Sequence, residues 1–100
     1  MIVALDYDDT YTRDPSMWND FIDLLQRNNH TVYCVTMRYP QEAQAVREAL
    51  ANRVDGIFCT GRKAKRPFMY ARGIQVSVWI DDEPGWILTD AADAVQKEPA

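Results

Sequence analysis

The sequence predicts an α/β domain in which an open parallel sheet of about four strands lies between layers of helix. Three observations predict it. Short apolar runs alternate with helix-periodic stretches in the order β-α-β-α-β-α-β-α, which calls for parallel strands joined by right-handed crossovers. The apolar runs are continuous rather than alternating, as in strands covered on both faces. Each run ends in polar or charged residues, where open α/β sheets carry their chemistry.

The first run, Ile2 to Leu5, leads straight into Asp6, Tyr7, Asp8, Asp9 and Thr10. Strand alternation would turn Asp6 and Asp8 to the same side, and a divalent cation is a natural neutraliser of crowded carboxylates. Asp14-Pro15 starts a helix, with Asp as N-cap and Pro at the first helical position. Trp18, Phe21, Ile22 and Leu25 then recur at helical spacing as a core-facing stripe, as far as about Asn28.

Thr31 to Met37 is β-branched and aromatic, a second strand that leads into Arg38. Pro40 to Asn52 reads as a helix that buries Ala43, Val46 and Leu50. Asp55 to Thr60 is a third strand. The basic residues Arg62, Lys63, Lys65 and Arg66 then lead through Pro67 into a short helix ended by Gly73. Gln75 to Ile80 is a fourth strand, ending in Asp81, Asp82 and Glu83. A last helix is expected from Gly85 to about Gln96, carrying Trp86, Ile87, Leu88, Ala92 and Val95, with a frayed tail after it. The result is a three-layer, Rossmann-like sheet.

One hundred residues suit a single domain, 1–100, and 47% hydrophobic with 26% charged residues excludes a disordered chain. The net charge of −4 argues against a protein that coats nucleic acid, although part of it sits in acidic clusters that a cation would offset. Cys34 and Cys59 lie in apolar runs without metal-ligand spacing and read as buried thiols of a reducing compartment. Without a leader-like N-terminus or an apolar run of membrane-spanning length, the expected location is cytoplasmic, away from membranes. His30, the only histidine, falls in a turn far along the chain from the acidic cluster.

Side by side, the four strand ends supply Asp6 and Asp8; Thr36 with Arg38; the basic run from Arg62 to Arg66; and Asp81 with Asp82. These are the parts for phosphoryl transfer: a nucleophile, an acid/base, a metal cage and donors for phosphate oxygens.

The stretch I-V-A-L-D-Y-D-D-T resembles motif I of the haloacid dehalogenase (HAD) superfamily, an apolar strand followed by D-x-D-x-T. V-Y-C-V-T-M-R is similar to its motif II, K-A-K-R-P offers a motif III lysine, and V-W-I-D-D-E resembles the paired-Asp form of motif IV. The resemblance implies a Mg²⁺-dependent phosphatase. Asp6 would attack phosphorus to form an aspartyl-phosphate, and Asp8 would protonate the leaving group and then activate water. Mg²⁺ would be held by the Asp6 side chain, the Asp8 backbone carbonyl and the Asp81/Asp82 pair. Thr36 would hydrogen-bond the phosphoryl group, Thr10 would fix Asp8 through a backbone contact, and a lysine would neutralise phosphate and nucleophile together. Lys65, near a helix N-terminus, is preferred to Lys63, closer to the strand end. Asp9 stands where the family usually carries Gly, so an aspartate is expected to take the local turn.

No cap domain fits between Thr10 and Asp14 or after Arg38. An uncapped site suits a bulky phosphorylated substrate, such as a nucleotide or a nucleic-acid end, or closure by a second copy of the chain. Two other classes use similar parts. A receiver-like phosphoacceptor would put its aspartate at the end of the third strand, where this chain has Cys59, Thr60 and Gly61. A two-metal nuclease could use Asp6, Asp8, Asp81 and Asp82, but leaves Thr36 and the lysine without a role.

Overall fold

The structure, a computed structural model, describes residues 1–92. Four parallel strands form one sheet in the order β3-β2-β1-β4: β1 (Ile2–Leu5), β2 (Thr31–Thr36), β3 (Gly56–Cys59) and β4 (Val78–Ile80). Helices α1 (Pro15–Arg27), α2 (Gln44–Leu50), α3 (Lys65–Tyr70) and α4 (Gly85–Leu88) follow strands one to four in turn.

The topology fixes where a site can form. The chain steps outward from β1 to β2 to β3, then returns past both to place β4 on the other side of β1. Right-handed crossovers in opposite directions put their helices on opposite faces. Accordingly there are two apolar clusters. One joins Leu5, Val32 and Cys34 of the sheet to Ile22 of α1 and Val46 and Leu50 of α2. The other joins Ala4 and Val35 to Met69 of α3, with Tyr33, Phe58 and Trp79 around it. This is the three-layer arrangement. The reversal leaves a crevice beyond the C-terminal ends of β1 and β4, the usual ligand position in such sheets.

The Asp14-Pro15 start is confirmed: the Asp14 carboxylate accepts the Met17 N–H at 3.2 Å. Ile22 is fully buried, with Trp18 and Leu25 packed beside it. Elsewhere the elements are shorter than expected. The helix predicted from Pro40 to Asn52 is divided into a 3₁₀ turn (Pro40–Glu42) and α2. Arg38 Nη1 donates to the Glu42 carbonyl at 2.8 Å, removing that carbonyl from the helical ladder. The fourth strand covers Val78–Ile80 instead of Gln75 to Ile80, because as an edge strand it pairs only with the four-residue β1.

The last predicted helix breaks at Thr89, which is extended (φ −129°, ψ 137°). Two tertiary hydrogen bonds replace its next turn: Ala91 N–H donates to the Arg62 carbonyl at 2.9 Å, and the Asp90 carboxylate accepts from Ala64 N–H at 2.7 Å. The predicted helical residues after Ala92, Val95 among them, and the expected frayed tail lie outside the described residues. Cys34 is buried and Cys59 is only partly so; both are free thiols. Among the described residues no helix is long and apolar enough to cross a membrane.

Candidate active site

Asp6 is the first residue beyond β1, and its N–H still donates to the Ile80 carbonyl at 2.9 Å. The β1–β4 pairing thus runs one step past the strands and sets Asp6 beside Asp81. Asp6 is 7% exposed. Its Oδ1 accepts from Lys65 Nζ at 2.8 Å, and the same ammonium donates to Asp81 Oδ2 at 2.5 Å. Lys65, the first residue of α3, is 1% exposed. A lysine so deeply buried needs its charge matched, and the two carboxylates match it. Of the two candidate lysines, the fold brings Lys65 to Asp6. Lys63 lies outside the cleft and pairs with Asp90 at 3.9 Å.

Thr10 is the second junction. Its Oγ1 lies 3.1 Å from both Asp6 Oδ2 and Asp82 Oδ1, and accepts the Asp82 N–H at 3.2 Å. A hydroxyl has one proton, so it donates to one of the two carboxylates at a time. The expected Thr10 contact with Asp8 is replaced by this bridge between the ends of β1 and β4. Carboxylate oxygens of Asp6, Asp81 and Asp82 all lie within 4.8 Å of one another. An all-oxygen set of this kind could hold a hard cation such as Mg²⁺. Without a cation, burial is the main effect on Asp6 and raises its pKa to about 7, which the Lys65 charge and hydrogen bond offset only in part.

Asp8 is placed differently. Residues after Leu5 leave the strand and turn, so alternation no longer applies. Asp9 takes φ 61°, the left-handed conformation expected of it, and its N–H donates to Thr12 Oγ1 at 3.0 Å. The Asp8 carboxylate is half-exposed and receives Arg38 Nε at 2.9 Å and Nη2 at 2.8 Å, which holds its pKa below the usual range. The Arg38 guanidinium also lies 5.1 Å from the centre of the Tyr7 ring. Arg38, expected to meet phosphate, is instead bonded within the protein.

Thr36 ends β2, is 1% exposed, and its Oγ1 accepts the Arg38 N–H at 3.3 Å. A cleft of about 770 Å³ brings Asp6, Asp8, Thr36, Arg38, Lys65 and Asp82 to one opening. Asp81 does not line it; its Oδ2 accepts from Lys65 and its Oδ1 from the Glu83 N–H at 3.0 Å. His30 is remote, hydrogen-bonded to the Met1 amino group at 2.7 Å.

Three roles were not legible in the sequence. Thr10 looked like a turn residue, and only the β1–β4 neighbourhood shows its second partner. Arg62, at φ 73°, donates from Nη1 to the Met37 carbonyl at 2.7 Å and tethers the β3 loop to the β2 loop. Asp90 accepts the Ala64 N–H just after α4, and Thr89-Asp90, residue types that prefer caps and turns to helix interiors, was the available signal that the helix could stop there. Comparison with known protein families, curated proteins and solved structures found no match for this chain.

Proposed function

We propose that the protein is a Mg²⁺-dependent phosphomonoester phosphatase of the haloacid dehalogenase type, working through a phosphorylated Asp6. The observation that carries this reading is the buried Lys65 ammonium bonded to both Asp6 and Asp81. A carboxylate attacking a phosphate dianion meets strong charge repulsion, and a cation built against the nucleophile lowers it.

In this scheme an Asp6 oxygen attacks phosphorus and the bond to the leaving oxygen breaks; Asp8, ionised beside Arg38 in the free protein, relays to that oxygen the proton that the phosphomonoester monoanion brings. Asp8 then takes a proton from water as it attacks the aspartyl-phosphate, which releases phosphate and restores Asp6. Thr36, which lines the cleft, would hydrogen-bond a phosphoryl oxygen. Arg38 holds Asp8 in position between the two steps. Asp6, Asp81 and Asp82, with the Asp8 backbone carbonyl, are the ligands assigned to Mg²⁺. When bound, the ion would neutralise charge on phosphate and carboxylates.

The lysine also separates this reading from a two-metal nuclease. Its ammonium sits between Asp6 and Asp81, space that a second cation would need. A screen for Mg²⁺-dependent phosphate release tests the proposal, using nucleotides, sugar phosphates, phosphopeptides and oligonucleotides phosphorylated at either end. Release of terminal phosphate is expected. Cleavage of internal phosphodiesters would point to the nuclease instead.

A further inference from the structure

The cleft is far larger than a phosphate group, and its volume of about 770 Å³ falls in the range of pockets that enclose an organic ligand, about 300–1,000 Å³. Its lining separates into two kinds. Around Asp6 it is charged, with six carboxylates against three cations, Arg38, Arg62 and Lys65. Lys65 is committed to Asp6 and Asp81, and Arg38 to Asp8. Such a site can accept one phosphate with its metal ion, but it repels a chain of them.

The other wall is apolar: Trp86 of α4 with Ala91 and Ala92. Trp86 is 41% exposed, and among the large apolar residues that are exposed in residues 1–92 it alone borders this cleft. It stacks on no other aromatic ring among the described residues. The strap of Asp90 and Ala91 is hydrogen-bonded to Ala64 and Arg62, which fixes Ala91 in the cleft wall.

We infer that Trp86 is a stacking platform for the base of a mononucleotide whose phosphate sits at Asp6. This rests on the phosphatase reading and adds the class of leaving group to it. A flat heterocycle offers a π-face to an exposed indole, and its nucleoside carries no further charge into an already acidic cleft. Binding strength then comes from the ring, since the phosphate contacts are shared by every phosphomonoester. A nucleic-acid end presents the same first nucleotide but brings additional phosphates, which the excess of carboxylates disfavours.

The test measures binding by calorimetry with Mg²⁺, using the Asp6→Asn variant so that no ligand is consumed. Adenosine 5′-monophosphate should bind about tenfold tighter than ribose 5-phosphate, the scale of one stacked base. Trp86→Ala should bring that ratio close to one, and Trp86→Phe should keep most of it. Equal affinities for the two ligands, no detectable nucleotide binding, or a ratio untouched by Trp86→Ala would overturn the inference. A 5′-phosphorylated trinucleotide binding more tightly than the mononucleotide would overturn the choice of a free nucleotide. Phosphate release by the unmodified protein is scored separately. Trp86-dependent nucleotide binding without any release would reject the phosphatase reading and leave the stacking site standing.

Discussion

Asp8 and Arg38 hold each other through two parallel hydrogen bonds, Nε to Oδ2 at 2.9 Å and Nη2 to Oδ1 at 2.8 Å. The pair links the turn after β1 to the end of β2. Because Nη1 is also bonded, to the Glu42 carbonyl, all three guanidinium nitrogens of Arg38 are engaged within the protein. Arg38→Ala is expected to lower kcat by about 10–100-fold while leaving KM little changed, the size expected for a misplaced acid/base. Arg38→Lys should recover little, since a point charge cannot form the paired bonds. Steady-state phosphate release separates the two constants. A higher KM with kcat intact would assign Arg38 to substrate phosphate.

Lys65 is the single ammonium among buried carboxylates, so Lys65→Met should leave Asp6 and Asp81 facing each other without it. Breaking a buried pair in this way costs about 3–5 kcal/mol. The loss should be largest near neutral pH and smaller near pH 5, where protonation relieves the repulsion. Urea unfolding at the two pH values reads the difference. A stability loss independent of pH would mean that Lys65 contributes packing and not charge.

The strand ends were legible because continuous apolar runs stop abruptly at polar residues, and the topology then gathers those ends. Asp6, Thr36, Lys65 and Asp82 could therefore be placed at one site from sequence. The Arg38–Asp8 pairing could not. It depends on Asp8 leaving the strand at a turn, and strand alternation had set Asp8 beside Asp6. The broken last helix shows the same limit. Trp86, Ile87 and Leu88 continue a helical pattern, yet hydrogen bonds from Asp90 and Ala91 to residues 26 and 29 positions earlier decide the backbone. Local pattern carries no information about such distant partners.

The elevated pKa of Asp6, about 7, gives metal-free protein a definite pH dependence. The unfolded carboxyl titrates near its ordinary value of 3.8, so between there and pH 7 the folded state binds the extra proton. The stabilisation from this group is complete at low pH and is lost as pH rises through about 7. Mg²⁺ bound as proposed would compete with that proton. Its stabilising effect in thermal melts should grow between about pH 5 and pH 8, with proton release on binding. An equal Mg²⁺ shift at both ends of that range would contradict the Asp6 ligand assignment.

Thr10→Val removes the hydroxyl that bridges Asp6 and Asp82, which leaves one of the two carboxylates short of a donor and the Asp82 N–H short of an acceptor. Stability should fall by about 1–3 kcal/mol, and Mg²⁺ affinity by about 10–100-fold, as for other partners of metal ligands. Thr10→Ser should behave nearly as the unmodified protein does. Calorimetric Mg²⁺ titration of the three proteins checks this, and unchanged affinity in Thr10→Val would show that Thr10 only shapes the turn.

The proposed mechanism passes through a phosphorylated Asp6. The most direct measurement is mass spectrometry of protein quenched in acid during turnover with Mg²⁺ and a hydrolysed phosphomonoester, followed by peptide mapping. Phosphate on Asp6 in the unmodified protein is expected, together with loss of both the adduct and phosphate release in a folded Asp6→Asn variant. Phosphate release that persists in Asp6→Asn, or an adduct on a different residue, would contradict it.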